Sequence, residues 1–270
     1  MCGLAGLWHD PSVADSLDLQ KSATAMASAI SHRGPNDSGV WSDPAVGLAL
    51  AHQRLSILDL SSAGHQPMIS ARGRYLIAFN GEIYNHYALR RELETTGRLH
   101  QPWRGHSDTE TLLGAIEAWG LTAALHRCAG MFALALWDRQ ERRLQLARDR
   151  FGEKPLYWGW LQHAGKRVLV FASELASIRA MPGASNPVVN QEAFAAFLRY
   201  AYLPAPLSIY ANLHQLLPGH HLTFSSPQNH TKPEPWWELQ QQARQAFAQQ
   251  STIDPLSEPA LLDQLEVTLQ

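Results

Sequence analysis

Residues Met1–Trp8 (MCGLAGLW) place a cysteine directly after the initiator methionine and follow it with a short apolar segment. Residues 3–8 predict a strand, in which Gly3 and Gly6 allow a close approach of neighbouring backbone. If Met1 is removed, the Cys2 thiol and a free α-amine lie on the same residue. An α-amine has an unperturbed pKa of about 7.7–8.0, so much of it is neutral near pH 7 and can take the thiol proton. Because a lone cysteine is more often a small buried side chain, the interpretation of Cys2 as a nucleophile depends on the rest of the chain.

The composition excludes several classes of protein. Hydrophobic residues are 45% of the 270, which excludes collagen-like, low-complexity and wholly disordered chains. Lysine and arginine number 22 against 24 acidic residues, a net charge of −2, so we expect no nucleic-acid partner. We also expect no membrane partner, because no apolar run approaches the roughly 18 residues of a spanning helix and no secretory signal is present. The two cysteines, Cys2 and Cys128, cannot form a disulfide framework and favour a reducing cytoplasm.

The pattern of apolar residues predicts about eight strands with helices between or outside them, which favours stacked sheets covered by helices. Four of these strands are expected to be successive antiparallel neighbours: residues 131–137, 143–147, 156–160 and 167–172. A strand at residues 75–79 is expected to end at Asn80-Gly81, because this dipeptide is typical of a tight turn. The predicted helices that accompany them are residues 17–30, 84–96 and 107–119.

The character of the chain changes after Ala180. Residues 181–188 (MPGASNPV) are rich in Pro, Gly and Ser, and predict a connector, so we place a domain boundary near residue 185. A helix is predicted at residues 191–202. The last stretch, residues 257–270, predicts an amphipathic helix. Its apolar stripe consists of Leu261, Leu262, Leu265 and Leu269.

Seven further motifs follow the N-terminal MCGLAG in a fixed order. They are residues 32–39 (HRGPNDSG), 54–57 (RLSI), 79–85 (FNGEIYN), 107–110 (SDTE), 130–133 (GMFA), 148–157 (RDRFGEKPLY) and 172–175 (ASEL). Together they resemble the class II glutamine amidotransferases, which are N-terminal-nucleophile hydrolases. The Gly34-Pro35 form of the second motif resembles the asparagine synthetase branch, and the resemblance covers residues 1 to about 225.

This resemblance implies an α+β fold, a four-layer αββα sandwich of antiparallel sheets, and the hydrolysis of glutamine. In the family, the thiolate that corresponds to Cys2 attacks the carboxamide and forms a thioester, and ammonia is released. The Asn80 side chain and the Gly81 N–H would form the oxyanion hole. Arg54 would hold the substrate α-carboxylate and Asp108 its α-ammonium. The other glutamine-binding residues that the resemblance implies are Leu55, Ile57, Leu58 and Glu82.

Each of these residues also has an ordinary structural interpretation. Taken alone, Asn80-Gly81 favours a hairpin turn. Arg54 is equally typical of a solvated surface charge, and Asp108 of a carboxylate in the first turn of a helix. Arg148, Arg150 and Lys154 resemble a phosphate-binding patch, although in this family we expect them to serve structure or an inter-domain face. The 13 histidines are scattered, so no metal is assigned.

One departure from the family concerns the synthetase half. Full asparagine synthetases continue into an ATP-pyrophosphatase domain with a Ser-Gly-Gly-x-Asp-Ser loop, and no such loop occurs in this sequence. We therefore expect residues 2–185 to be the glutaminase domain, and residues 186–270 to be a linker and the truncated start of a synthetase domain. ATP and Mg²⁺ are expected only in the missing domain, and no cofactor is expected for the glutaminase step.

The sequence leaves the partners and the acceptor of the ammonia open. The expected substrate is glutamine, and the expected partner is a separate or missing synthetase domain; a homodimer is left open. In a complete enzyme the ammonia would pass to an activated aspartate and give asparagine. Two alternatives remain. In the first, the chain transfers nitrogen to another acceptor, such as a sugar or a peptide. In the second, it is a catalytically silent domain that binds a partner.

Overall fold

The structure is a computed structural model that describes residues 1–11, 17–229, 231–250 and 258–269. The strands in these residues are β1 (Gly3–Trp8), β2 (Asp37–Asp43), β3 (Leu48–Arg54), β4 (Met68–Ile69), β5 (Tyr75–Ile83), β6 (Gly130–Asp138), β7 (Arg143–Arg148), β8 (Tyr157–His163), β9 (Lys166–Ala172), β10 (Leu213–Gln215), β11 (His220–Phe224) and β12 (Glu234–Pro235). The helices are α1 (Leu19–Ser28), α2 (His86–Thr95), α3 (Asp108–Trp119), α4 (Leu121–Arg127), α5 (Leu175–Arg179), α6 (Gln191–Tyr200), α7 (Leu239–Gln250) and α8 (Glu258–Leu269).

The described strands form two six-stranded sheets. Their orders are β10-β8-β9-β1-β3-β2 and β12-β11-β7-β6-β5-β4, and the pairs within both sheets are antiparallel. The predicted pairings of β6 with β7 and of β8 with β9 are confirmed. The prediction that β7 and β8 are neighbours is wrong, because the segment between them crosses from one sheet to the other.

Three apolar layers hold the sheets and helices together. Between the sheets, Leu4 and Leu50 of one pack with Leu76 and Trp137 of the other. Helices α1 and α5 pack on the outer face of the first sheet, and α2, α3 and α4 lie on the outer face of the second, each over an apolar cluster. The predicted four-layer αββα sandwich is therefore confirmed.

Strand β1 lies in the interior of its sheet, between β9 and β3. A Cβ on Gly6 would meet the ring of Phe171 and would lie 2.8 Å from the carbonyl oxygen of Ala49. The predicted close approach at Gly6 is thus confirmed. As a consequence, Cys2 lies at the start of a strand that is fixed on both sides.

Strand β5 continues through Asn80-Gly81 to Ile83, so the expected strand end at Phe79 is wrong. Asn80 lies opposite Ala133, and Gly81 lies opposite Phe132 in β6. A Cβ on Gly81 would lie 2.6 Å from the Cβ of Phe132, so the glycine fits a close approach of two strands. Long-range pairing with β6 overrides the local turn preference of Asn-Gly.

The first compact unit runs from Met1 to Trp237, well beyond the boundary expected near residue 185. The reason is that β10 pairs with β8 and β11 with β7, so residues 213–224 add a strand to each sheet. The second unit, Glu238–Gln270, contains α7 and α8. The helix predicted at 257–270 corresponds to α8, whereas the assignment of residues 186–270 to a synthetase domain stays a prediction. No helix in the described segments is both long and apolar enough to cross a membrane.

Candidate active site

The nine residues that the sequence predicts for the site line one cleft between the N-terminus, the ends of β3 and β5 and the start of α3. The cleft has about 650 Å³ of space between protein atoms, part of it open to solvent. The predicted residues in its wall are Cys2, Arg54, Leu55, Ile57, Leu58, Asn80, Gly81, Glu82 and Asp108. Residues from separate motifs thus meet in one place, although their roles in binding and catalysis stay predictions.

Cys2 is held by both its side chain and its backbone. The Leu55 N–H donates to its Sγ at 3.3 Å, and Arg33 donates from Nε to its carbonyl oxygen at 3.1 Å. Arg33 in turn pairs with Glu174 at 2.6 Å. Burial raises the pKa of the Cys2 thiol, while the Leu55 N–H and the N-terminal ammonium act in the opposite direction. The thiol therefore needs a nearby base in order to become a nucleophile near neutral pH.

The Asn80 side chain is 1% exposed, and its amide nitrogen has no hydrogen-bond partner in the described part of the chain. A buried donor without a partner costs free energy unless a ligand or water satisfies it. Asn80 also lines the cleft that contains the Cys2 thiol, which makes this amide a candidate donor to a substrate oxygen.

The backbone of β5 adds a second donor position. Phe79 and Ile83 direct their N–H groups away from β6 and donate to the side chains of Gln66 and Asp108, at 2.7 Å and 2.9 Å. Alternate residues of a strand direct their N–H groups to the same edge. The N–H of Gly81, midway between them, therefore points to the same edge of β5, where Gln66 and Asp108 line the cleft.

Arg54 ends β3 and is almost fully buried. Its guanidinium donates to the carbonyl oxygens of Ser61, at 3.0 Å, and Asp59. A Cβ on Gly64 would collide with this guanidinium. The surface-charge interpretation of Arg54 is therefore wrong: the side chain is fixed by the 59–64 loop, and it lines the cleft.

Asp108 is the first residue of α3, and the Ser107 hydroxyl caps this helix by accepting the N–H of Glu110. The two carboxylate oxygens of Asp108 accept the N–H groups of Ile83 and Thr109, at 2.9 Å and 2.8 Å. Burial raises the pKa of Asp108, and these two hydrogen bonds oppose the rise. Within the described residues no cationic side chain lies at ion-pair distance from Asp108, so the carboxylate is open to a cationic ligand group.

The rim of the cleft is formed by apolar and acidic residues. Ile57 and Leu58 are 64% and 40% exposed on the loop after β3, and Glu82 is half-buried in β5. The loop is anchored by Asp59: although burial alone would raise its pKa, hydrogen bonds from Ser61 and His106 lower the pKa to about 2. Asp59 stays ionised and holds the loop at neutral pH.

The cleft wall also contains residues that were not predicted for the site, among them Asp59, Gln66 and Lys154. Asp59 lies two residues beyond the RLSI motif and Lys154 lies inside RDRFGEKPLY, so proximity to a motif could have indicated them. Gln66 had no such sequence signal, because its position depends on the hydrogen bond to Phe79.

The two arginines of the 148–154 segment have the structural role that was expected for them in preference to phosphate binding. Arg148 donates to the carbonyl oxygens of Lys154 and Leu216, at 2.8 Å and 2.6 Å. Arg150 donates to that of Cys128 at 2.6 Å. Both guanidinium groups are used to hold backbone, while Lys154 lies in the cleft wall.

A sequence profile of the glutamine amidotransferase domain family matches residues 1–237, the same span as the first compact unit. The chain belongs to this family. The match includes strands β10–β12, which the boundary near residue 185 would have excluded from the domain.

The curated relatives of this chain are larger proteins. It is 34% identical over 223 residues to asparagine synthetase [glutamine-hydrolyzing] 1 of Bacillus subtilis, with 83% of this chain and 33% of the relative covered. It is 38% identical over 179 residues to asparagine synthetase B of Escherichia coli, with 66% and 30% covered. The chain thus spans about a third of the length of these relatives.

Among solved structures, the chain is similar to the glutamine phosphoribosylpyrophosphate amidotransferase from B. subtilis. The TM-score is 0.61 at 18% identity, with 87% of this chain and 49% of that chain covered. At this identity the likeness shows the fold alone, which agrees with the αββα sandwich.

Proposed function

We propose that this chain hydrolyses the side-chain amide of glutamine, with Cys2 as nucleophile after removal of Met1. The observation that carries the proposal is the unpartnered amide nitrogen of Asn80 in the same cleft as the Cys2 thiol. Acyl transfer through a thiolate needs a donor aimed at the oxygen that becomes negative. Family membership agrees with this chemistry.

The two charged groups on the α-carbon of glutamine match the two opposite charges of Arg54 and Asp108 in the cleft wall. Arg54 offers a planar guanidinium to the α-carboxylate, and Asp108 offers a buried carboxylate to the α-ammonium. Ile57 and Leu58 cover the aliphatic part of the substrate from the rim. With its α-groups held there, the substrate directs its side-chain amide toward Cys2 and Asn80.

The reaction then has two halves. The free α-amine of Cys2 takes the thiol proton, and the thiolate sulfur bonds to the amide carbon while the carbonyl pair moves to oxygen, between the Asn80 amide and the Gly81 N–H. The intermediate collapses, the C–N bond breaks, and the α-ammonium returns its proton to the leaving nitrogen, which departs as ammonia. Water then attacks the thioester, the α-amine takes its proton, and glutamate leaves as the thiol is regenerated.

The names of the curated relatives suggest a destination for the ammonia. We propose that it supplies an asparagine synthetase reaction, in which a synthetase portion like the remaining two thirds of the relatives would use ATP and Mg²⁺. A transferase for another acceptor remains the alternative within enzymes. We place the reaction in the cytoplasm, because Cys2 and Cys128 are both free thiols.

An assay of glutamate release from glutamine tests the proposal. The chain beginning at Cys2 should release glutamate and ammonia in equal amounts, and Cys2→Ala should release none while keeping its melting temperature. Asn80→Ala should lose about 10²–10³ in kcat, because one oxyanion donor is removed. If the folded chain released no glutamate with or without a synthetase partner, the silent binding domain would be favoured instead.

A further inference from the structure

Lys154 is a buried ammonium in the cleft wall that the proposed reaction has not used. The residue is 5% exposed, and its Nζ lies 3.2 Å from the thioether sulfur of Met1. A thioether is a weak acceptor. Within the described residues no carboxylate lies at ion-pair distance from Nζ.

The position of Lys154 is built into the fold. The carboxylate of Asp149 accepts the backbone N–H groups of Lys154 and Phe132, at 3.0 Å and 3.1 Å, and Arg148 donates to the Lys154 carbonyl oxygen at 2.8 Å. Phe132 is the residue opposite Gly81 in the sheet. One buried carboxylate thus fixes the lysine relative to the strand that carries Asn80 and Gly81.

Covalent geometry places the ammonium near the future N-terminus. Five bonds separate the Met1 sulfur from the Cys2 nitrogen, a span of at most about 6 Å, so Nζ lies within about 10 Å of that nitrogen. Removal of Met1 deletes the thioether and leaves a free α-amine in the same part of the cleft. Like charges at such a distance in a partly buried site disfavour each other.

We propose that Lys154 keeps the α-amine of Cys2 unprotonated, so that the amine serves as the base for the thiol. The inference rests on the proposed function. Lys154 acts through the amine and does not touch the reacting atoms, so it is a positioning residue. The other charged groups that line the cleft are Arg54, Asp59, Glu82 and Asp108, and Arg33 contacts the Cys2 carbonyl; none of these is removed in the test below.

The first test is the pH profile of kcat/KM for glutamine hydrolysis by the chain beginning at Cys2. Lys154→Met should move the acid limb to higher pH by about one unit, so that kcat/KM below the midpoint falls about tenfold. On the alkaline plateau, kcat/KM should stay within twofold of the parent. Lys154→Arg should keep the parent profile, and so should the control Lys21→Met, which removes an exposed lysine of α1. If Lys154→Met unfolds, Lys154→Gln is measured in its place.

The second test separates the amine from the thiol. In a Cys2→Ala chain, which begins at position 2 after loss of Met1, the pH dependence of trace acetylation at the α-amine is followed by peptide mass spectrometry. Adding Lys154→Met should raise the midpoint of that titration, whereas Lys21→Met should not.

An unchanged acid limb in an active Lys154→Met enzyme overturns the inference and leaves the proposed function intact. A shifted limb with an unchanged α-amine titration also overturns it, because the lysine then acts on the thiol. An inactive parent chain with a free Cys2 contradicts the proposed function itself.

Discussion

At the scale of single residues, two buried polar groups of the site lack the partner that such groups usually have. Asn80 has a buried amide nitrogen without a partner, and Asp108 has two backbone donors but no cation within the described residues. Sequence motifs located both residues, because each belongs to a stretch that resembles the family. The motifs did not show that Asn80-Gly81 lies inside a strand, since that depends on pairing with β6.

Asp108→Asn should raise the KM for glutamine by about 10- to 100-fold with a smaller effect on kcat. The reason is that a hydrogen bond to a charged group contributes roughly 1.5–3 kcal/mol, and the amide cannot match the substrate ammonium. Steady-state kinetics of glutamate release check this, with Glu141→Gln, an exposed acidic residue in the β6–β7 turn, as the control. A KM equal to that of the parent would place the α-ammonium elsewhere.

At the scale of elements, β1 is the strand on which the nucleophile depends. Its short apolar pattern was sufficient to predict a strand and a close approach at Gly6. It did not indicate which strands flank it, because β3 and β9 are about 45 and 165 residues away along the chain and no local signal joins them. The same limit explains the wrong prediction for β7 and β8: alternation identifies strands but does not assign them to sheets.

Gly6→Ala should lower the free energy of unfolding by about 1–3 kcal/mol, because the added methyl overpacks the contact with Phe171 and the Ala49 carbonyl. Denaturant unfolding measures this, and a double-mutant cycle with Phe171→Leu should show favourable coupling, since the smaller side chain makes room for the methyl. Additive effects of the two changes would mean that the ring does not limit the space at Gly6.

At the scale of the whole molecule, the chain divides after Trp237. The predicted boundary near residue 185 followed a change in composition, which marks the connector correctly but does not show that later strands return to the sheets. Trp236 is buried and donates to the Arg148 carbonyl at 3.0 Å, so the end of the first unit is anchored in its core.

Two truncations distinguish these boundaries. A chain that ends at residue 240 should remain soluble and keep its glutaminase activity within twofold, because it retains the predicted site residues and β1–β12. A chain that ends at residue 187 should aggregate, because β10 and β11 no longer cover β8 and β7. Size-exclusion chromatography and the glutamate assay report both results. An active, monomeric 1–187 chain would show that the glutaminase domain ends near residue 185.

In the proposed reaction, the thiol of Cys2 works only with its own free α-amine. A cleavable segment fused ahead of Cys2 tests this requirement, with glutamate release measured from one sample before and after the protease exposes Cys2. We expect no turnover before cleavage, because the amine is then an amide without a basic lone pair, and full turnover after it. Equal rates before and after cleavage would show instead that another group in the cleft is the base.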